Sequence, residues 1–296
     1  MEKTKNAPPY FSVIIPTYNR AHLIADTIQS VLDQSFTDFE LLIVDDGSTD
    51  DTKEVVTSIN DERINYIWQE NGERGKARNH GVLKAKGHYV FFLDSDDAIA
   101  TAYLAHAFEQ IKAKNEPEFF HIRYKLVNGD SSLPAPHLKS ATIHQKVNRQ
   151  NQFACQFFLR KDIALRYPFS ENRDLKIGED WYVILRIGQR YRFHFSNEVL
   201  GEIRQGERSM EAPTTSTVLK SRDILYSALT MDEKIPKKVL KNVKLELTFL
   251  AALSASLEGK RRQAFNLWVQ SFAQQPGILF KRRTLAIMKH FISGGR

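Results

Sequence analysis

Three carboxylates fall within four residues at Asp94, Asp96 and Asp97, with Ser95 between the first two. Acids this close repel each other unless a cation or hydrogen-bond donors neutralise them. Two kinds of chemistry fit the cluster. One is a site for a divalent metal carrying a phosphorylated ligand. The other is a solvated acidic turn in which Asp97 caps the next helix. More polar groups of this kind recur along the chain: Thr17, Tyr18 and Asn19 after Pro16, Asp45 and Asp46 before Gly47, and Glu179 with Asp180 after Gly178.

The elements around these residues bear on the choice. The acidic cluster follows an apolar run, Val90 to Leu93, which reads as a strand buried on both faces. Phe11 to Ile15 and Phe39 to Val44 read the same way, with Ile64 to Trp68 as a third strand before the cluster. Between them lie helical patterns: Ala21 to Leu32 with apolar residues at helical spacing, a second helix to about Ile59 with Ser48 as its N-cap, and a third through Lys86 stopped by Gly87. Strands alternating with helices predict a mostly parallel sheet with right-handed crossovers. The ends after Pro16, at Asp45 and at Asp94 would then share the carboxyl edge, where open α/β sheets bind ligands. That favours the metal and phosphate reading.

Past Asp97 the alternation weakens. Thr101 to Ile111 reads as a helix, Phe119 to Lys125 as a strand, and Asn128 to Asn151 as a polar excursion. Gln156 to Arg160, Tyr191 to Phe195 and Glu198 to Arg204 read as strands, and the region from Thr215 onward as helical. The chain is therefore expected to divide into an α/β domain over 1–212 and a helical, basic region over 213–296.

Composition is that of a globular protein: 296 residues, 42% hydrophobic, 26% charged, net charge +7. The charge is uneven. From Lys237 onward 12 Lys and Arg face only Glu246 and Glu258, which leaves the first 236 residues net negative. A basic tail suggests an anionic surface. No aromatic-basic module for nucleic acid is evident, so none is expected as a partner. Within Ile278 to Ile292, Phe280, Leu285, Ile287, Met288, Phe291 and Ile292 fall on one half of a helical wheel, opposite Arg282, Arg283, Lys289 and His290. Such a helix either lies in a membrane interface or packs with a solvated basic face. Cys155 is the single cysteine, which fits a reducing compartment. The start MEKTKNAPPY lacks an apolar core, so no signal peptide is expected, and no apolar run reaches the ~18 residues of a membrane span. The expectation is a cytoplasmic protein, peripheral at the inner face of the plasma membrane.

The blocks FSVIIPTYNR, LLIVDDGSTDDT, GKARNHGVLKAKG and HYVFFLDSDD, in that order, resemble the family-two glycosyltransferases of the GT-A fold. The resemblance is specific over roughly the first 100 residues, weaker to about Arg204, and does not reach the helical C-terminal third. It implies a Rossmann-like sheet with helices on both faces, inverting sugar transfer from a nucleotide sugar, usually UDP-linked, and a Mn2+ or Mg2+ ion. It implies that Pro16, Thr17, Tyr18, Asn19 and Arg20 line the base pocket and that Asp45 accepts from the base. Arg78, helped by Lys76, would lie near the diphosphate. Asp94-Ser95-Asp96 matches the family's DXD motif, with Asp96 on the metal and Asp94 on ribose or a metal-bound water. Asp180 of GEDW matches the general base, and Trp181 either stacks on a sugar or belongs to the core. One departure stands out: many relatives have an R-x-H segment near the domain end, whereas this chain has Arg204-Gln205-Gly206-Glu207-Arg208, with Arg204 and Arg208 as candidate replacements. The acceptor implied is a saccharide or lipid-linked oligosaccharide in surface polysaccharide, lipopolysaccharide or glycolipid assembly. Nucleotidyl transfer would share the acidic site but lacks its glycine-rich turn here, and a non-catalytic nucleotide-binding scaffold is the third reading.

Overall fold

The structure, a computed structural model, describes residues 7–205 and 213–275 together with Thr284, Leu285 and Ile287. In chain order the elements are β1 (Phe11–Thr17), α1 (Ile24–Leu32), β2 (Phe39–Asp45), α2 (Thr52–Ser58), β3 (Ile64–Trp68), α3 (Glu73–Lys84), β4 (Tyr89–Phe92), β5 (Ala98–Ile99), α4 (Tyr103–Ala113), β6 (Phe119–Asn128) and β7 (Ser131–Pro134). They continue with α5 (Ile143–Val147), β8 (Phe157–Arg160), α6 (Lys161–Arg166), α7 (Glu179–Gly188), β9 (His194–Gln205), α8 (Thr215–Thr230), α9 (Lys237–Leu257) and α10 (Arg261–Gln274). The chain divides into two compact units. The first comprises Met1–His144, Phe153–Glu171 and Arg190–Met210, and the second Gln145–Gln152, Asn172–Gln189 and Glu211–Arg296.

The first unit is built on a sheet ordered β3-β2-β1-β4-β8-β6-β9-β5, with β7 paired to β6. β3, β2, β1 and β4 are mutually parallel, as the alternating pattern predicts. At β8 the sheet turns antiparallel, and β9 rejoins β6 in parallel. Strand alternation sends Phe11, Val13, Leu41, Ile43, Phe91, Leu93, Phe120 and Phe158 into one core with α1, α2 and α4. On the other face α3 approaches so closely that a Cβ on Gly81 would sit 2.5 Å from Ile14. Tyr89, Val90, Phe91, Phe92 and Leu93 are wholly buried. At about 1.5–3 kcal/mol per large apolar side chain, their burial outweighs the few kcal/mol that clustered carboxylates cost at the strand's end. The strand therefore holds the acids in place.

Several elements differ from the sequence reading. Ser48 is not a helix cap: its N–H donates to Asp45 Oδ1 at 2.7 Å, and its hydroxyl accepts from Asn19 N–H. α2 begins at Thr52, where Asp50 takes the Thr52 N–H and hydroxyl. Asp97 caps no helix, since β5 follows it directly and α4 starts at Tyr103. The two strands expected over 191–204 are one long β9, whose pairing with β6 shifts register on both sides of Arg123. A bulge breaks the two-residue alternation, which is why the sequence reads as two pieces. The polar excursion after Asn128 contains β7 and α5.

The second unit holds α7 together with α8, α9 and α10. The division thus differs from a single boundary at 212. The reason is visible in its bonds: Lys176 N–H reaches Ser221 Oγ at 3.1 Å, Trp181 Nε1 reaches the Val147 carbonyl at 2.9 Å, and Leu225 lies against Gly178. No helix among the described residues is long and apolar enough to cross a membrane. The amphipathic pattern over 278–292, all but three of its residues, and Arg208 lie outside the described residues.

Candidate active site

Neighbouring strand ends build a polar edge on the first unit. At the end of β1, Thr17 pairs with Asp45 at the end of β2. Asp45 is 1% exposed, and both its oxygens are used: Oδ1 accepts from Ser48 N–H and Oδ2 from the Tyr66 hydroxyl at 2.6 Å. Burial and the hydrogen bond to Asp45 push the Tyr66 phenol up, so it stays a donor. The carboxylate is thereby fixed, and its remaining lone pairs can accept from a ring N–H of a ligand. Thr17 Oγ1 beside it is buried with no hydrogen-bond partner among the described residues. Tyr18 is 47% exposed, as a wall of an open cleft would be. Asn19 adopts φ 51° and is tied to the next loop by Thr49 N–H, while Arg20 N–H donates to Thr52 Oγ1.

Asp46 has a different task. Its carboxylate accepts from Gly72 N–H, Glu73 N–H, Gln69 Nε2 and Asn71 Nδ2, so it neutralises the N-terminus of α3. Gly47 permits the turn that follows these two acids: its φ is 80°, and a Cβ there would lie 2.9 Å from Asn71 N.

α3 carries the cation of the site. Arg78 is 1% exposed, lies over the Phe169 ring at 5.2 Å, and donates from Nη2 to Asp94 Oδ1 at 2.7 Å. It is therefore not a solvated helix residue. Lys76 is exposed, and its aliphatic chain folds back over Gly72. At the end of β4, Asp94 is one-third exposed, whereas Ser95 and Asp97 are buried. The Thr27 hydroxyl on α1 lies 3.0 Å from the Ser95 carbonyl and 2.8 Å from that of Asp97, donating to one at a time, and this fixes the loop from below.

Burial and the adjacent Asp94 push the Asp96 carboxyl up to about 6, while Arg20 and Arg74 pull it back. Burial, then Asp94 and Asp96, raise Asp97 well above the usual carboxylate range. Asp97 is nonetheless committed to the fold, accepting from Gln156 Nε2 and Arg204 N–H, both at 3.1 Å. The three acids are thus unequal. Asp97 is structural, Asp94 is half-engaged by Arg78, and Asp96 carries charge that the chain under-compensates. Hard oxygens in that state suit Mg2+ or Mn2+, with phosphate and water completing the shell. Among the described residues no three His, Cys, Asp or Glu side chains are placed to hold an ion, so the protein's share would be the two carboxylates of Asp94 and Asp96.

Arg204 does not reach toward Asp94: its side chain lies 3.4 Å from Asp26, and its backbone serves Asp97. In the second unit, Asp180 sits at the start of α7 after Gly178 in the left-handed conformation. Its Oδ2 accepts from Asn151 Nδ2 and its Oδ1 from Trp181 N–H, each at 2.7 Å. Trp181 is 2% exposed and is a core residue.

Sequence reasoning missed Gln156, Thr27, Tyr66, Arg74 and Phe169, and it named Asp46 only as a polar residue of a strand end. Thr27 leaves a trace, since it is a polar residue on the buried stripe of an amphipathic helix. The others act across strands or loops, where sequence spacing carries no signal.

His121 on β6 yields a test of the core beside this edge. It is wholly buried, and burial lowers its pKa to about 4 while Nδ1 lies 3.0 Å from the Gln156 carbonyl. The folded state keeps it neutral. Between pH 6.5 and about 4 the unfolded chain takes up a proton that the folded one refuses, so stability falls as pH drops. The loss is about 2 kcal/mol at pH 5. His121→Phe is expected to remove that slope. Chemical denaturation at pH 7 and 5 measures it as the change in the gap between the two proteins, in which Asp96 and Asp97 cancel. An unchanged gap would refute the buried neutral imidazole.

Residues 12–169 match the family model described as Glycosyl transferase family 2. An uncharacterized glycosyltransferase of Rickettsia felis is 45% identical over 200 residues, covering 65% of this chain and 32% of that protein. A UDP-Glc:alpha-D-GlcNAc-diphosphoundecaprenol beta-1,3-glucosyltransferase of Escherichia coli, WfgD, is 37% identical over 181 residues, covering 60% of this chain and 68% of that one. The chain spans about a third of the length of several curated relatives that it matches. The crystal structure of S. aureus TarS 1-349 in complex with UDP-GlcNAc superposes with a TM-score of 0.65 at 22% identity, covering 88% of this chain and 80% of that one, and so shares its fold.

Proposed function

The chain belongs to glycosyl transferase family 2, and from that premise we propose that it moves a sugar from a UDP-linked donor, with inversion, onto a hydroxyl of a lipid-diphosphate-linked saccharide. The observation that carries this reading is the Asp94–Arg78 pair beside the strained carboxyl of Asp96, on the same sheet edge as the buried Asp45. Asp45 accepts from the base, Thr17 offers its unpartnered hydroxyl, Tyr18 and Arg20 close the cleft, and Arg78 with Lys76 faces the diphosphate. Asp94 and Asp96 would hold Mn2+ or Mg2+, which when bound neutralises charge on the departing nucleoside diphosphate. Asp180 takes the proton from the acceptor hydroxyl as it attacks the anomeric carbon opposite the leaving group.

The UDP and lipid-diphosphate assignments draw support from the name of the E. coli relative, and the pathway class, surface polysaccharide or glycolipid assembly, follows from such an acceptor. An acceptor of that kind sits in a membrane, so the reading includes peripheral contact at the inner face through the basic C-terminal segment.

The test incubates the protein and Mn2+ with UDP-, GDP- and dTDP-sugars and an alkyl-diphosphate N-acetylglucosamine acceptor, and follows nucleoside diphosphate release. Release from UDP-sugars that depends on acceptor supports the proposal. Release from GDP- or dTDP-sugars alone overturns the uridine assignment.

A further inference from the structure

A group of basic side chains gathers away from the carboxyl edge of the sheet. Lys114, His144, Arg192 and His194 line a cavity of about 380 Å³, a size usual for small-molecule sites, with Ile143 and Phe193 in its wall. Among the described residues no carboxylate lines it. Ile143 and Phe193 are buried, which fixes the wall. Lys114, His144 and His194 are only half-buried and Arg192 is exposed, so the cations are open to a ligand.

The strands set this cavity apart from the candidate active site. β4 and β6 both run antiparallel to β8, so they run parallel to each other. β9 is parallel to β6, and His194 at its start pairs with Phe120 near the start of β6. Lys114 follows the last residue of α4, just before β6, and His144 joins from α5. The basic group therefore lies where β6 and β9 begin, whereas Asp94 lies where β4 ends. All of these residues belong to the first unit.

The chain leaves the positive charge unanswered. The Arg192 side chain has no hydrogen bond or ion pair among the described residues. The Lys114 ammonium donates to a neutral amide, Gln110 Oε1 at 2.5 Å, and lies 5.8 Å from the centre of the Phe120 ring. Burial, then Lys114, holds the His194 imidazole below its usual value; Arg192 adds to this and Glu118 opposes it. Both cations thus act on one ring, and the Glu118 carboxylate is already met by Arg160 at 3.6 Å. The His144 ring is set against Phe193, with centroids 4.7 Å apart. A concave surface lined by one sign of charge focuses its field and draws in a counter-ion. Two permanent cations match a dianion better than a single carboxylate, and the planar guanidinium fits paired phosphate oxygens. We propose that this cavity binds the phosphate group of a phosphorylated ligand through Lys114 and Arg192, with His194 and His144 as further hydrogen-bond donors. The site is separate from the donor edge and does not depend on the glycosyl-transfer reading.

The experiment titrates inorganic diphosphate into the full chain by calorimetry, with chelator present so that the donor edge has no metal. Saturable binding with a Kd below about 1 mM is expected. Arg192→Gln and Lys114→Gln should each weaken it at least about tenfold, while affinity for UDP with Mn2+ stays within about twofold of the unaltered chain. Equal binding in both variants, uptake that never saturates, or a matching loss of UDP affinity would each overturn the site. Both side chains reach solvent, so thermal melting should be unchanged; should one variant not fold, the other decides. Sedimentation with phosphatidylglycerol vesicles then tells the two sources of phosphate apart. With diphosphate binding lost in the variants, vesicle binding that also falls about fivefold assigns a lipid headgroup, and unchanged vesicle binding assigns a soluble phosphorylated ligand.

Discussion

Asp96→Ala is expected to cut sugar transfer and donor hydrolysis by about a thousandfold or more while leaving the protein folded. Asp96 is the member of the acidic cluster least occupied by the chain itself. Asp97 is held by Gln156 and by the Arg204 backbone, and Asp94 by Arg78, whereas burial and its neighbours push Asp96 up to about 6. A carboxylate in that position is unfavourable for the empty fold and favourable once a cation arrives. Deleting it therefore removes repulsion as well as a metal ligand, and the melting temperature should hold or rise. Asp97→Ala should do the reverse. It unties Gln156 and the β9 backbone inside the sheet, so the loss should appear first in stability, at about 2 kcal/mol or more. Thermal melts beside activity assays separate the two. Full activity of Asp96→Ala, or activity unchanged by chelator, would remove the metal role from this cluster.

Asp180→Asn is expected to lower transfer by about a hundredfold to ten-thousandfold while UDP affinity stays within about threefold, because a general base acts on the acceptor and not on the nucleotide. The substitution is conservative in shape but not in hydrogen bonding. Asp180 accepts on both oxygens, from Asn151 Nδ2 and from Trp181 N–H, and an amide can accept on only one. Turning the Asn151 amide over would restore the pair, so the cost in stability should be about 1 kcal/mol. Transfer assays with UDP titration measure both quantities. Normal turnover would remove Asp180 as the base, and lost UDP binding would move it into the donor site.

The parallel half of the sheet was legible because its strands are buried on both faces and read as unbroken apolar runs, from Phe11, Phe39 and Tyr89 onward. Those strands end in polar residues at one edge, so their placement together also followed. The unequal roles of Asp94, Asp96 and Asp97 were only half legible. That Asp94 and Asp96 differ came from the resemblance, but Asp97 reads as a helix cap in sequence and proves to be a cross-strand tie. Nothing near Asp97 announces Gln156 or Arg204, which reach it only after β8 and β9 fold against the sheet. Beyond Asn128 the pattern failed for a physical reason. Antiparallel and bulged strands alternate irregularly, and α7 and the loop before it are tied to residues 147 and 221, which lie far away in the chain. Arg78 shows the same limit in miniature. Its position on a polar helix suggests exposure, yet Phe169 and Asp94 bury it.

Sugar transfer as proposed requires the end of β4 to be a metal-dependent diphosphate site. Calorimetric titration of UDP into the protein, once with Mn2+ and once with chelator, tests it most directly. The expected result is binding that weakens at least about tenfold without metal and in Asp96→Ala. Equal affinity under all three conditions would contradict it.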